Sequence, residues 1–208
     1  KASKMIVVCG DSFCSRDPVA VGKHFSEQLE GPVVNLARGG ISNSAIFMQL
    51  FKALAMNPSV VIYSSTDPAR MTVPASVNGP DFNASNPIAN IRYEIDGTEP
   101  FVSHTIPSIL GELELGLDPE VKAAVKAYFT TIYDPEMQSF LDNEMFQGYE
   151  SRCREQHIQV ICLDRDVKEL YEEAWELRHN PPDVVYHTTA QAQTQAAKKI
   201  MEIIKNGD

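Results

Sequence analysis

The sequence predicts an α/β fold: a three-layer α/β/α sandwich around a central, mostly parallel sheet. Three observations carry this expectation. Short apolar runs at 5–10, 33–36, 59–63 and 157–163 alternate with segments of helical period. The run Ser59-Val60-Val61-Ile62-Tyr63 is apolar at successive positions, so both faces of that strand need cover, as in a central parallel strand. A chain of 208 residues is long enough for one such domain with a full hydrophobic core. Residues 1–208 are therefore read as a single domain, with an insertion or lid over about 71–156.

The elements follow in order. Residues 5–10 form the first strand. Residues 17–30 are expected to be a helix, with Val19, Val21, Phe25 and Leu29 mostly on one side and Gly31-Pro32 as its breaker. Val33-Val34-Asn35-Leu36 is a short second strand. Ser42 or Asn43 caps a helix running to about Met56, with Ile46, Leu50 and Leu54 on its apolar side and Asn57-Pro58 ending it. Residues 59–63 make the third strand. Residues 71–117 are rich in Pro, Asn, Gly and Ser and keep no sustained period, which suggests a lid over a cleft, with a short hairpin near 91–97. Two helices then open alike: Asp118-Pro119-Glu120 and Asp134-Pro135-Glu136 each supply an Asp cap, a Pro at the first helical position and a Glu in the first turn. The first carries a stripe of Val121, Ala124, Val125, Tyr128, Phe129 and Ile132. A strand over 157–163, a charged helix over 166–178 ended by Pro181-Pro182, and a terminal helix from about Thr189 complete the chain. The terminal helix is expected to bury Ala192, Ala196, Ile200, Ile203 and Ile204.

Bulk properties exclude several classes. A net charge of −10 with no Lys/Arg stripe argues against nonspecific binding to nucleic acid or to an anionic membrane. No apolar run reaches the length of a membrane span or of a signal-peptide core, so the expectation is a cytoplasmic protein. Cys9, Cys14, Cys153 and Cys162 show no CxxC pair and no Cys/His zinc spacing. They read as reduced thiols, with Cys9 and Cys162 in buried strands, and neither a metal nor a cofactor is expected.

The chemistry centres on Gly10-Asp11-Ser12, directly after the first strand. A serine there can turn its Oγ into a cleft while nearby backbone N–H groups point at a developing oxyanion. Ser12, Gly40, Thr66 and the loop 183–187 all follow strand-like or pre-helical segments, so they can converge at one edge of a parallel sheet. Four blocks in this order resemble the SGNH (GDSL-type) hydrolase family. They are Val8-Cys9-Gly10-Asp11-Ser12-Phe13, then Val34-Asn35-Leu36-Ala37-Arg38-Gly39-Gly40-Ile41-Ser42-Asn43, then Val60 to Asp67, and last Asp183-Val184-Val185-Tyr186-His187. The fit covers residues 5–67 and about 157–204; residues 71–156 match nothing in the family's core pattern.

The resemblance implies a flavodoxin-like layered fold and a serine ester hydrolase, with acetylated sugars, short acyl esters and lysophospholipids as open substrate classes; the polar character of residues 71–117 leans towards a small or carbohydrate-linked ester. It implies Ser12 as nucleophile, His187 as base and Asp183 as the acid that orients the imidazole. The oxyanion hole would use the N–H groups of Ser12 and Gly40. The family's third donor, an Asn, is replaced by Thr66, whose hydroxyl is shorter. The family's acid lies three residues before the His, where this chain has Val184; Asp183 is four before, which leaves a triad and a Ser–His dyad both open. Asp11, Arg38 and Asn43 are weaker candidates for substrate contact. A turn-bonding role for Asp11, a surface ion pair for Arg38 and a helix cap for Asn43 compete with it. His24, His104, His157 and His179 have no partner spacing and read as surface or packing residues. A catalytically weak binding or accessory protein of the same fold is the competing function. A dinucleotide-binding domain is disfavoured, since the first turn lacks GxGxxG.

Overall fold

The computed structural model describes residues 5–16, 22–39, 41–74, 101–105, 119–168, 184–185 and 188–207. Four strands form the central sheet: β1 (Ile6–Cys9), β2 (Val33–Asn35), β3 (Val60–Tyr63) and β6 (Gln159–Cys162). Their order is β2-β1-β3-β6 and every pair is parallel. The register runs Val7 beside Val34 on one side and beside Val61 on the other, with Val61 beside Val160.

The three layers follow from the two-residue period of the strands. On one face, Ile6, Val8, Val60, Ile62 and Ile161 pack with Ala192, Ala196, Ala197, Ile200 and Ile204 of α5 (Ala190–Asn206). On the other, Val7, Cys9, Val61, Tyr63 and Cys162 meet Ala45, Ile46, Leu50 and Ala53 of α1 (Asn43–Ala55). Phe146, Tyr149 and Cys153 of α3 (Pro135–Glu155) join that second cluster. Each such aliphatic side chain contributes on the order of 1.5–3 kcal/mol on full burial. The expected α/β/α layering with a parallel sheet is what the chain adopts.

Local chemistry sets the helix ends. Ser42 is the α1 cap, its hydroxyl accepting from Ala45 N–H at 3.3 Å. Asn57 then turns left-handed at φ 51° ahead of Pro58. Asp134 caps α3 through Glu136 and Met137 N–H groups, and Thr189 caps α5 through Ala192 N–H. The helix α2 (Pro119–Thr131) begins at the first expected Pro. Among the described residues no helix is long and apolar enough to cross a membrane.

Four local expectations are corrected. Of the helix expected over 17–30, residues 17–21 lie outside the described residues, and 22–30 hold only a single 3-10 turn, Phe25–Glu27. His24 and Glu27 close a reciprocal cap around that one turn, and Gly22 and Gly31 take φ values of 111° and 108° that a helix cannot continue. Phe25 and Leu29 are nevertheless buried. Within the region expected to lack regular structure, β4 (Arg70–Pro74) pairs antiparallel with β5 (Phe101–Thr105); each strand is five residues long, and Phe101-Val102-Ser103-His104-Thr105 carries no apolar alternation to announce it. The hairpin expected near 91–97 lies outside the described residues. The strand expected at 157 starts at Gln159, because His157 takes φ 57° in the turn after α3. Leu163, expected to end that strand, instead opens the short helix α4 (Leu163–Asp166); of the helix expected over 166–178, residues 169–178 lie outside the described residues. A last pair, β7 (Val184–Val185) and β8 (Thr188–Thr189), precedes α5.

Candidate functional site

The strand order places β1 between β2 and β3, so the chain leaves β1 to one side and returns on the other. The carboxyl ends of β1 and β3 therefore flank the switch point where ligands of such sheets bind. Ser12 follows β1 and Thr66 follows β3.

Gly10 makes the turn out of β1. Its φ of +133° disfavours any side chain, and a Cβ there would lie 2.4 Å from Ser64 Oγ and 2.9 Å from Cys14 Sγ. Gly10 N–H donates to the buried Gln49 Oε1 of α1 at 2.7 Å, and its carbonyl accepts from Arg38 N–H at 3.1 Å. The turn then closes through Cys14 and Ser15 N–H groups on the Asp11 carbonyl. Asp11 and Ser12 are 3% and 4% exposed.

The Asp11 carboxylate is the hub. Oδ1 accepts from Phe13 N–H at 3.1 Å and from the Ser64 hydroxyl at 3.3 Å. Oδ2 accepts from the Thr66 hydroxyl at 2.9 Å and from Arg70 Nη1 at 3.3 Å. A buried carboxylate needs such donors to remain charged at tolerable cost. Thus the loop after β3 and the first residue of β4 are fastened to the residue that precedes Ser12.

Asn43, at the start of α1, holds that loop from the other side. Its Oδ1 accepts from Thr66 N–H at 2.8 Å and its Nδ2 donates to Thr66 O at 3.0 Å. The same Nδ2 donates to the buried Asp142 Oδ2 of α3 at 2.6 Å, while Gln138 Nε2 donates to Asp142 Oδ1 at 2.8 Å. Ser65 bonds Asp164 of α4 through both its N–H and its hydroxyl. Asn35 braces the Ser12 turn: its Nδ2 donates to Cys14 O at 2.8 Å and its Oδ1 accepts from Ala37 N–H at 2.9 Å.

The buried His24 supports the same turn. Nδ1 accepts from Ser26 N–H, and Nε2 lies 3.0 Å from the Phe13 carbonyl, which fits the Nε2–H tautomer. Burial lowers its pKa from 6.5, so the ring is held neutral. The neighbouring thiol of Cys14 donates to Ser64 Oγ at 3.3 Å, and burial pushes its pKa well up.

Of the residues singled out in the sequence, Asp11, Ser12, Asn43 and Thr66 come together here. The Thr66 hydroxyl has one proton, and it is directed at Asp11. Arg38 is exposed, and its Nη1 donates to the adjacent Ala37 carbonyl. Gly40, Asp183 and His187 lie outside the described residues. Among the contributors unrecognised in the sequence are Arg70, His24 and Asp142. Arg70 falls in a segment without evident period, His24 in a misread helix, and Asp142 amid the charged residues of α3. Only the structure joins them to this network: Arg70 to Asp11, His24 to the Phe13 carbonyl and Asp142 to Asn43. Beside Arg70 opens a cleft of about 290 Å³, lined among others by Ser44, Tyr128, Phe129, Tyr133 and Gln138.

No protein-family profile matches the sequence, and no curated protein matches it. Among solved structures, the chain is similar to a lipolytic protein of the G-D-S-L family from Desulfitobacterium hafniense. That pair has 12% identity and a TM-score of 0.37 over 96% of this chain and 99% of that one. It is also similar to catalytic mutants of the acetylxylan esterase Axe2 from Geobacillus stearothermophilus; one has 8% identity and a TM-score of 0.39 over 98% of this chain and 94% of that one. Similarity at this level carries no argument about chemistry, which rests on the residues of the site.

Proposed function

We propose that the protein is a serine ester hydrolase of the SGNH type, acting through an acyl-enzyme on a small or carbohydrate-linked ester. Ser12 Oγ attacks the ester carbonyl carbon as His187 takes the hydroxyl proton, and the carbonyl electron pair moves onto oxygen. Collapse of the tetrahedral adduct breaks the bond to the alcohol, which leaves with the proton from His187. Water then attacks the acyl-enzyme by the same route in reverse roles, releasing the acid and restoring Ser12. Asp183 is assigned to orienting His187. The N–H groups of Ser12 and Gly40 are assigned to the oxyanion. Asp11 and Asn43 enter as residues that hold the turn.

The observation that carries this reading is the location of Ser12 at the carboxyl end of a central strand, beside the switch point, in a turn braced on several sides. A competing reading as a catalytically weak binding protein draws on the Thr66 proton being engaged by Asp11. A fluorophosphonate probe separates the two: the hydrolase reading expects covalent labelling at Ser12, and a binding protein gives none. Ser12→Ala is expected to lower p-nitrophenyl acetate turnover by about 10⁴-fold or more with an unchanged circular dichroism spectrum. Undiminished turnover in that variant would remove Ser12 from the mechanism.

A further inference from the structure

We propose that Arg70 is a catalytic residue, supplying the third hydrogen-bond donor to the oxyanion from the Nη2 side of its guanidinium. This rests on the serine hydrolase reading above. Nη1 of Arg70 donates to Asp11 Oδ2 at 3.3 Å and to the Ile41 carbonyl at 3.1 Å. Asp11 immediately precedes Ser12, and Ile41 immediately follows Gly40. One nitrogen therefore ties the residue before Ser12 to the residue after Gly40.

The guanidinium is a rigid planar fork with five N–H donors. Two acceptors fix Nη1, and Nε is enclosed without a hydrogen-bond partner among the described residues. The plane is thereby set, and Nη2 donates to none of the described residues. The side chain is 19% exposed, so its outer edge reaches solvent, and it lines the cleft with Ser44, Pro68 and Tyr133. Thr66 does not fill this role, because its hydroxyl donates to Asp11 Oδ2. Arg70 transfers no proton and forms no bond in the reaction. It meets the negative charge that the carbonyl oxygen gains as Ser12 Oγ bonds to carbon, an interaction stronger in the transition state than in the bound ester. It also offsets the buried Asp11 carboxylate, whose charge would otherwise oppose that oxyanion.

The test compares the full chain with its Ser12→Ala, Arg70→Met, Arg70→Lys and Asp11→Asn/Arg70→Met variants on p-nitrophenyl acetate. Arg70→Met is expected to lower kcat by about 10²–10³-fold with KM little changed, and added guanidinium ion to restore part of it saturably. The double variant is expected to stay as slow as Arg70→Met. Recovery of the double variant towards the parent rate would overturn the proposal, making Arg70 only the counter-ion of Asp11. Arg70→Lys keeps the ion pair without the fork; should Arg70→Met fail to fold, a loss of at least about tenfold in kcat at unchanged Tm is expected from Lys, and a parent-like kcat would overturn the proposal. Turnover that depends on Ser12 but not on Arg70 removes Arg70 alone. Absence of any Ser12-dependent turnover removes the hydrolase reading and Arg70's role with it.

Discussion

Helices α1 and α2 are both 13 residues long and both carry an apolar stripe, yet they end in different surroundings. α1 buries Ala45, Ile46, Leu50 and Ala53 against the sheet, and even its polar Asn43 and Gln49 are inside. The stripe of α2 buries Val125; Tyr128 and Phe129 are half-buried, and Ile132 just beyond the helix is 72% exposed. The difference teaches that amphipathic spacing states which face is apolar, not what covers it. A helix that follows a sheet strand has its partner supplied by topology. A helix such as α2, far from the strands in sequence, does not.

Substitutions can break or sharpen this contrast. The largest stability loss is expected from Gly10→Ala, which combines an unfavourable positive φ with a Cβ placed 2.4 Å from Ser64 Oγ. About 4 kcal/mol is expected, the sum of strain and overpacking, measured by urea unfolding. Leu50→Ala, wholly buried on α1, is expected to cost about 3 kcal/mol through the cavity it leaves. Asp134→Ala removes the α3 cap and is expected to cost about 1 kcal/mol. Ile132→Ala should stay within about 0.5 kcal/mol. Should Ile132→Ala cost as much as Leu50→Ala, the contrast between the two helices would be wrong.

The pH dependence adds a smaller test on the Ser12 side. His24 has its pKa lowered below 6.5 by burial, so between its folded value and 6.5 the unfolded chain binds more protons. Its contribution is therefore full above 6.5 and lost as pH falls through the folded value. Tm is expected to drop on acidification from pH 8 to pH 5 more steeply for the parent chain than for His24→Gln. Equal slopes would mean that the imidazole titrates alike in both states.

How much could be read from the sequence follows the same division. The strands of the sheet were legible because Val60-Val61-Ile62 and Ile6-Val7-Val8 are apolar without interruption, a pattern that two covered faces demand. The starts of α2 and α3 were legible from their Asp-Pro-Glu signals. The region from 22 to 30 misled because Phe25 and Leu29 are spaced for a helix although the chain makes only one 3-10 turn there. That the Ser12 turn and Thr66 meet at one edge of the sheet was legible from their places after strands. The Asp11–Arg70 and Asn43–Asp142 pairs were not, since each joins residues 59 or 99 positions apart and neither partner has a periodic signature.

All four cysteines are buried, and Cys14 sits two residues beyond Ser12, packed between Gly10 and Ser64. A thiol so enclosed is shielded from alkylating reagents while the turn stays shut. The rate at which iodoacetamide modifies Cys14, followed by peptide mass, becomes a clock for the opening of the Ser12 turn. Set beside the rates for Cys9 and Cys153 in the opposite face of the sheet, it tells whether that turn breathes alone or only when the whole sheet comes apart.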